Sequence, residues 1–414
     1  MKELLKRIIF DQQEWDLKNT VKRNIDEHLI TAPEILVITG IRRCGKSVLL
    51  QQIRERQKEK DYYMNFDDER LIQFKVDDFQ TLYETFIELF GEQKTFYFDE
   101  IQNIAGWERF VRRLYDAGNK VFVTGSNANM LSKELGTHLT GRYMEIELYP
   151  FSFREYLQMK GVSITPKDIY STIGKSTLLR HFNEYLSTGG FPRYIESGND
   201  RYLSTLYENI IYKDVITRNK LNNEKELLEL VYYLASNATK RFSYNSLANA
   251  IGIKHAETVK NYINYIENTF LLGQLMKFDY SLKVQMSNPK KIYFVDNAII
   301  KKIGFNATDN NGQMLENLVY VELKRRELDI YYHADKVECD FIVREGSHIT
   351  AAYQVTRSLT NESTKEREFS GLLSALKSYN LSEGTILTQE EEGTWEIEDK
   401  KIKVTPIWKW LLEI

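Results

Sequence analysis

Cysteine is almost missing from this chain: Cys44 and Cys339 are the two among 414 residues. Two such thiols build no disulfide framework, and neither has a neighbour at metal-site spacing. Proline is scarce as well, at six, while aromatics reach 13%, which reads as a chain ordered throughout with short loops. No apolar run is long enough to span a bilayer. The opening Met1 to Trp15 stretch is amphipathic with acids close behind, so no signal peptide is expected. An excess of either charge is also lacking: 56 basic against 59 acidic side chains leave a net charge of −3. Any basic surface for nucleic acid must therefore be local. No internal repeat or low-complexity segment is present. What remains, 42% hydrophobic and 28% charged, is an ordinary globular composition with length for two to four domains and a large core.

The most informative stretch is Gly40-Ile41-Arg42-Arg43-Cys44-Gly45-Lys46-Ser47. It fits the phosphate-binding loop G-x-x-x-x-G-K-[ST] in full. Ile35 to Ile38 reads as a buried strand before it, and Ser47 to Arg54 as a helix after it, with Val48 at the helix start. Glycines let the backbone wrap a phosphate so that N–H groups and the helix N-terminus face the anion. Lys46 is expected to reach the β- and γ-phosphates, and the Ser47 hydroxyl to hold Mg²⁺. Cys44, among N–H donors near a helix start, is expected to have a depressed pKa and to be protected by ATP; a buried, inert thiol is the alternative. A reduced thiol in this loop points to the cytoplasm.

Strands and helices alternate over residues 1–150, which predicts an α/β domain with a mainly parallel sheet. Asp61 to Phe66 reads as a strand. Phe79, Leu82, Phe86 and Phe90 follow at helical spacing, with Gly91 as a stop. Thr95 to Glu100 is an aromatic strand ending in two acids, the form of a Walker B element. Asp99 is the candidate Mg²⁺ ligand, and Glu100 the group that polarises the attacking water. Trp107, Phe110, Val111 and Leu114 make the next helix face, closed by Gly118. Lys120 to Asn127 is a strand running into small polar residues. Ser126 and Asn127 are the candidates to contact the attacking water or γ-phosphate, with Thr124 in reserve; a plain Gly-Ser-Asn turn is the other reading.

This order, phosphate loop, acid pair and polar sensor strand, resembles AAA+ ATPases. That resemblance implies an arginine before the fifth strand reaching a neighbouring subunit's nucleotide, and Arg142 before Tyr143 to Leu148 is the candidate finger. A surface arginine paired with a carboxylate such as Glu145 is the alternative. Further stretches are Leu148 to Tyr156, Tyr185 to Pro192 with its Gly189-Gly190-Phe191-Pro192 turn, and Lys213 to Arg218. Together with Arg42-Arg43, these are similar to prokaryotic AAA+ ATPases with a C-terminal domain of unknown function (DUF4143), over nearly the whole chain. The resemblance implies that residues 151–220 form a helical lid over the nucleotide.

Residues 221–300 carry three short helical patterns. Leu227 to Leu234 make the first. The second is capped by Ser243 and ended by Gly252, and Val259, Tyr262, Ile263, Ile266 and Phe270 lie on the third. With Lys283 to Phe294 as strands, the segment fits a winged helix-turn-helix. His255, Lys260, Asn261 and Asn264 would then face a DNA groove, and Lys283, Lys290 and Lys291 would meet phosphate. A protein-contact module is the alternative, given Glu257 and Glu267 on the same helix. Residues 301–414 are similar to the restriction-endonuclease-like fold. Glu316 lies on helix 311–326, Asp340 on a strand, and Gln354-Val355-Thr356 where Glu-x-Lys belongs. Glutamine gives a hard cation only a neutral carbonyl, and Thr356 brings no charge. Arg357 falls on the opposite face of a regular strand. The expectation is a nuclease-like scaffold whose chemistry is lost, with Glu316, Asp340 and Gln354 as a vestigial site.

The chain is thus expected to be a cytoplasmic Mg²⁺-dependent ATPase of AAA+ type, with ATP and Mg²⁺ as cofactors. The expected architecture is an α/β P-loop core (1–150), a helical lid (151–220), a winged-helix module (221–300) and an α/β nuclease-like domain (301–414). Nucleotide state would move C-terminal modules that contact DNA, in a homo-oligomer without membrane attachment. An ATP-controlled switch or protein-binding module with little turnover is the second reading, and an active nuclease the third. No guanine-reading motif is present, which favours ATP.

Overall fold

The computed structural model describes residues 1–14, 17, 20–127, 136, 139–305 and 311–412. The chain divides into two compact units: Met1–Leu148 with Asn268–Phe270, and Tyr149–Glu267 with Leu271–Ile414. The segments 151–220, 221–300 and 301–414 accordingly fall almost wholly in one unit. Among the described residues no helix is long and apolar enough to cross a membrane.

The first unit is built on five strands: β1 Ile35–Thr39, β2 Tyr63–Asn65, β3 Thr95–Asp99, β4 Lys120–Thr124 and β5 Tyr143–Glu147. All pair in parallel in the order β2-β3-β4-β1-β5. The central strands are runs of Ile, Val, Leu and Phe because both faces are covered. Ile35, Val37, Phe96, Phe98, Val121 and Val123 join one core. Alternate residues turn to the other face, where the Tyr97 and Phe122 rings stack 5.3 Å apart. Helix α1, Lys2–Gln13, adds Leu5, Ile8 and Ile9 to the core. Helix α2 spans Glu27–Thr31, and α3, Lys46–Arg54, follows the phosphate loop. Helix α4, Phe79–Phe90, ends at Gly91 with φ 74°. Helix α5, Trp107–Asp116, buries Trp107, Phe110, Val111 and Leu114, the i, i+3, i+4, i+7 stripe of a one-sided helix.

In the second unit, residues 153–217 are helical: Phe153–Met159, Pro166–Tyr170, Thr172–Thr188, Pro192–Ser197, Asp200–Asn209 and a π-helix over Ile210–Thr217. Helices Glu224–Ser236, Tyr244–Ile251 and Ala256–Glu267 follow. They accompany an antiparallel sheet, β6 Arg241–Phe242, β7 Leu272–Met276 and β8 Lys290–Phe294, in the order β6-β8-β7. Lys283 departs from expectation: it lies in a short helix, Leu282–Ser287, and only Lys290–Phe294 forms a strand.

Helices Asn297–Ile303 and Asn311–Arg325 lead into a mixed six-stranded sheet. Its strands are β9 Asp329–Ala334, β10 Glu338–Glu345, β11 His348–Val355, β12 Glu383–Thr388, β13 Gly393–Ile397 and β14 Lys400–Pro406, in the order β13-β14-β12-β11-β10-β9. Helix Glu362–Ser378 is the crossover between the parallel pair β11 and β12. It packs Leu372, Ala375 and Leu376 into a core with Ile342, Ala352, Ile386 and Val404.

Candidate nucleotide site and the Asp340 cluster

The phosphate loop leaves the C-terminal end of β1 and enters α3. It needs three residues in left-handed backbone: Gly40 at φ 132°, Arg43 at 69° and Gly45 at 107°. A Cβ on Gly40 would stand 2.2 Å from the Leu148 carbonyl oxygen, so close strand packing as well as φ requires glycine there. Lys46 is 4% exposed. Its Nζ donates to the carbonyls of Gly40 at 3.1 Å and Ile41 at 3.2 Å, and lies 3.7 Å from Glu100 Oε1.

The acid pair closes the other side. Asp99 ends β3 fully buried, and burial pushes its pKa up against hydrogen bonds from Thr124 and Ser47. Tyr63 also donates to Asp99, at 3.3 Å. Ser47 and Asp99, the two expected Mg²⁺ ligands, therefore stand together. Glu100 sits at φ 50°, an uncommon backbone for a non-glycine residue. Its Oε2 accepts from Gln102 at 2.6 Å and Ser126 at 3.1 Å. Burial works against its charge, but Lys46, Gln102, Arg42 and Ser126 together hold the Glu100 carboxyl below its ordinary pKa.

Ser126 thus meets Glu100, and Asn127 beside it is 4% exposed. Thr124 has the more central position: it donates to Asp99 and accepts the Glu100 N–H at 2.9 Å, so one hydroxyl fixes both acids. Arg23 and Gln102 were not foreseen. Arg23 donates to the Cys44 carbonyl at 2.8 Å from a loop with no periodicity to single it out. Gln102 could have been suspected from its place two residues after the acid pair.

Two expectations at this site change. Cys44 is fully buried, and burial pushes its thiol pKa up despite Lys46 and Arg23 nearby. Arg142 pairs with Asp116 at 2.9 Å, not with Glu145. Arg142 precedes β5, whereas the phosphate loop follows β1. The parallel pairing of Ile35 with Tyr143 puts it at the opposite end of a five-residue strand, roughly 16 Å away.

The acids of the C-terminal segment also converge, with an unforeseen member. Lys291 Nζ, from β8, lies 2.9 Å from Glu316, 2.6 Å from Glu338 and 3.1 Å from Asp340. At 2% exposure it meets no phosphate from a wing. Burial opposes its charge, but Glu316 first, with Tyr293, Asp340 and Glu338, raises its pKa well above the ordinary value. Burial pushes Glu316 up to about 7. Asp340 also accepts the Val355 N–H at 3.0 Å, and a register shift in β10 spans it, as bulges beside sites commonly do. Gln354 donates to Glu368 at 2.6 Å, an acid brought in by the crossover helix. Glu316, Glu338, Asp340, Gln354 and Glu368 line an open cavity of about 610 Å³ with Arg357, which shares their side because β11 ends at Val355 and strand alternation stops there. Among the described residues no group of three or more His, Cys, Asp or Glu is arranged to hold a metal ion. Glu316 and Asp340 come together around the Lys291 ammonium, and Gln354 joins them through its Oε1, which accepts the Asp340 N–H at 3.2 Å.

Of the four groove-facing candidates, His255 is exposed and Lys260, Asn261 and Asn264 are half-buried, with Asn261 and Asn264 inside helix Ala256–Glu267.

Residues 32–157 match the family described as an AAA domain. Residues 179–309 match a domain of unknown function, DUF8612, which corrects the expected DUF4143. Two solved structures, AMPPCP-bound DnaA from Aquifex aeolicus and Cdc6p from Pyrobaculum aerophilum, are similar at 16% and 14% identity. They cover 61% and 73% of this chain and 92% of each of theirs, with TM-scores of 0.26 and 0.27. An uncharacterized protein of Haemophilus influenzae is 32% identical over 76% of this chain and 80% of its own. Uncharacterized protein MJ1544 of Methanocaldococcus jannaschii is 34% identical over 99% of this chain and 96% of its own. With a phosphate loop and acid pair set on a parallel sheet and a likeness that runs end to end, the chain belongs to the MJ1544 family and carries an AAA domain.

Proposed function

We propose that the chain binds ATP on the 40–47 loop and hydrolyses it. The observation that carries this reading is Glu100, held ionised 3.7 Å from Lys46, beside an Asp99 that touches Ser47. Ser47 and Asp99 would hold Mg²⁺, which supplies positive charge against the phosphate oxygens. Lys46, now shared among two carbonyls and Glu100, would turn to the β- and γ-phosphates. Glu100 would accept a proton from the attacking water, with Ser126 and Asn127 positioning it. Glu100→Gln should leave ATP affinity within a few-fold and remove hydrolysis, because the amide keeps the shape without the base. Lys46→Ala should weaken binding itself. Wild-type turnover in Glu100→Gln would refute the assignment.

Slow turnover in an ATP-controlled switch is the second reading. It is favoured by the occupation of Glu100 Oε2 by both Gln102 and Ser126, which a working base must shed. Turnover measured with and without duplex DNA separates the two. The three helices and three antiparallel strands of 224–294 support a winged helix that contacts DNA through His255, Lys260, Asn261 and Asn264. The helices of 153–217 remain the candidate lid. Arg142 is the candidate finger toward a second subunit, for which it would exchange Asp116 for a γ-phosphate. A reduced Cys44 within the loop fits a cytoplasmic setting.

A further inference from the structure

A second cavity, of about 250 Å³, opens in the segment around β6 and β8. Three elements wall it. Phe242 to Asn245 bring the N-terminus of helix Tyr244–Ile251; Ala256, Glu257 and Lys260 bring the first turns of helix Ala256–Glu267; Met286 to Asn288 and Lys290 bring the end of the short helix and the start of β8.

The lining brings several hydrogen-bond donors together. Ser243 caps its helix by accepting the Ser246 N–H, which leaves the Tyr244 and Asn245 N–H groups without an intrahelical acceptor. Asn288 Nδ2 is buried with no hydrogen-bond partner. A buried N–H left unpaired is costly, so a native site tends to supply its acceptor. Lys290 Nζ reaches the carbonyls of Met286 at 2.9 Å and Asn288 at 3.5 Å, and lies 5.1 Å from the Tyr244 ring. Burial first, and the Lys260 charge second, depress the Lys290 pKa, which marks two ammonium groups crowded at one cavity. Among the described residues of the wall Glu257 is the one carboxylate, which leaves Lys260 and Lys290 in excess.

We propose that this cavity binds a phosphate group of a nucleic-acid strand, held by Lys260, Lys290, the Asn288 amide and the start of helix Tyr244–Ile251. The proposal rests on the reading of this segment as a DNA-contacting module and names the place where the backbone is gripped. Neutralising one phosphate with fixed ammonium groups also gives the salt dependence expected of backbone contact. A pocket of this kind positions the strand and carries no sequence preference, in contrast to Asn261 and Asn264 on the helix and His255 just before it.

The test uses the full chain, a 20-base-pair duplex of arbitrary sequence, and inorganic phosphate as separate probes. Lys260→Gln with Lys290→Gln should weaken duplex binding about tenfold near physiological salt. It should also lower the slope of log K against log salt by about one. Asn288→Ala, which leaves charge unchanged, should weaken binding a few-fold without altering the slope by more than a few tenths. Millimolar phosphate should shift the Asn288 side-chain amide resonance and compete with the duplex. If the duplex binds and the lysine pair changes neither affinity nor slope, the pocket is wrong while DNA contact stands. If phosphate shifts Asn288 but no duplex binds, the anion site stands and a phosphorylated small molecule replaces DNA as its source. If neither probe binds, the proposal falls.

Discussion

Thr124 shows how much one hydroxyl can settle. It bonds a buried carboxylate and the N–H of the next acid at once. Thr124→Val keeps the volume and removes both bonds. It should cost about 1–3 kcal/mol of stability and slow hydrolysis more than it weakens ATP binding; denaturant unfolding and turnover on the same variant check this. Cys44 behaves oppositely to what its neighbours in sequence imply. Its thiol is buried and its pKa raised, so iodoacetamide labelling at pH 8 should be slow with or without ATP, and rapid labelling that ATP blocks would contradict that. Lys291 is the third such residue. Lys291→Met would leave Glu316, Glu338 and Asp340 facing one another without a cation, at a cost of about 3–5 kcal/mol. A thermal melt within a degree of wild type would show the ammonium to be dispensable. Lys46, Ser47, Asp99, Glu100 and Ser126, which the structure brings together, could be singled out because spacing along one strand or loop carries them. Arg23 and Glu368 escaped, and Lys291 was given phosphate in place of Glu316, Glu338 and Asp340, because these partners arrive from elements distant in sequence and no local period marks such a contact.

Elements with one dominant period were legible to within a residue or two. Helices α4 and α5 carry a single apolar stripe each, and helix Asn311–Arg325 lies within a residue of its expected span. β7 escaped because Gly273 and Gln274 interrupt its alternation, and Lys283 misled because its apolar neighbours Leu282, Val284 and Met286 alternate yet lie exposed on a short helix. At this scale Asp296 gives a pH prediction. It caps helix Asn297–Ile303 through the Ala298 N–H and accepts the Gly190 N–H at 2.6 Å, so the Gly189-Gly190 turn closes on it. Burial pushes its pKa from 3.8 to about 6, against those N–H bonds and Arg325. The folded state therefore holds this proton through a window where the unfolded chain has released it. The stability it contributes is full below about pH 4 and lost as pH rises through 6, by about 3 kcal/mol. Asp296→Asn should flatten that part of the stability profile between pH 4 and 7. An unchanged slope in urea titrations across that range would place the pH dependence elsewhere, with Glu316 the next group to examine.

For the whole molecule, the proposed finger makes assembly measurable. If Arg142 serves a neighbour, turnover per subunit should climb with protein concentration. Arg142→Ala should then lose up to about 10³-fold in rate while ATP affinity holds. Mixing it with Glu100→Gln should restore part of the activity, since two defective subunits still make one intact site; flat turnover and no rescue would leave Arg142 to Asp116. The ammonium of Lys291 has a consequence of another kind, for the order in which the chain is made. Its partners Glu316 and Asp340 come later, the second about fifty residues downstream. At roughly 5–20 residues per second, a ribosome releases Lys291 some seconds before Asp340. Through that interval β8 carries an unmatched charge into what becomes an interior, so its sheet should gain protease resistance on stalled nascent chains only after β10 has cleared the exit tunnel.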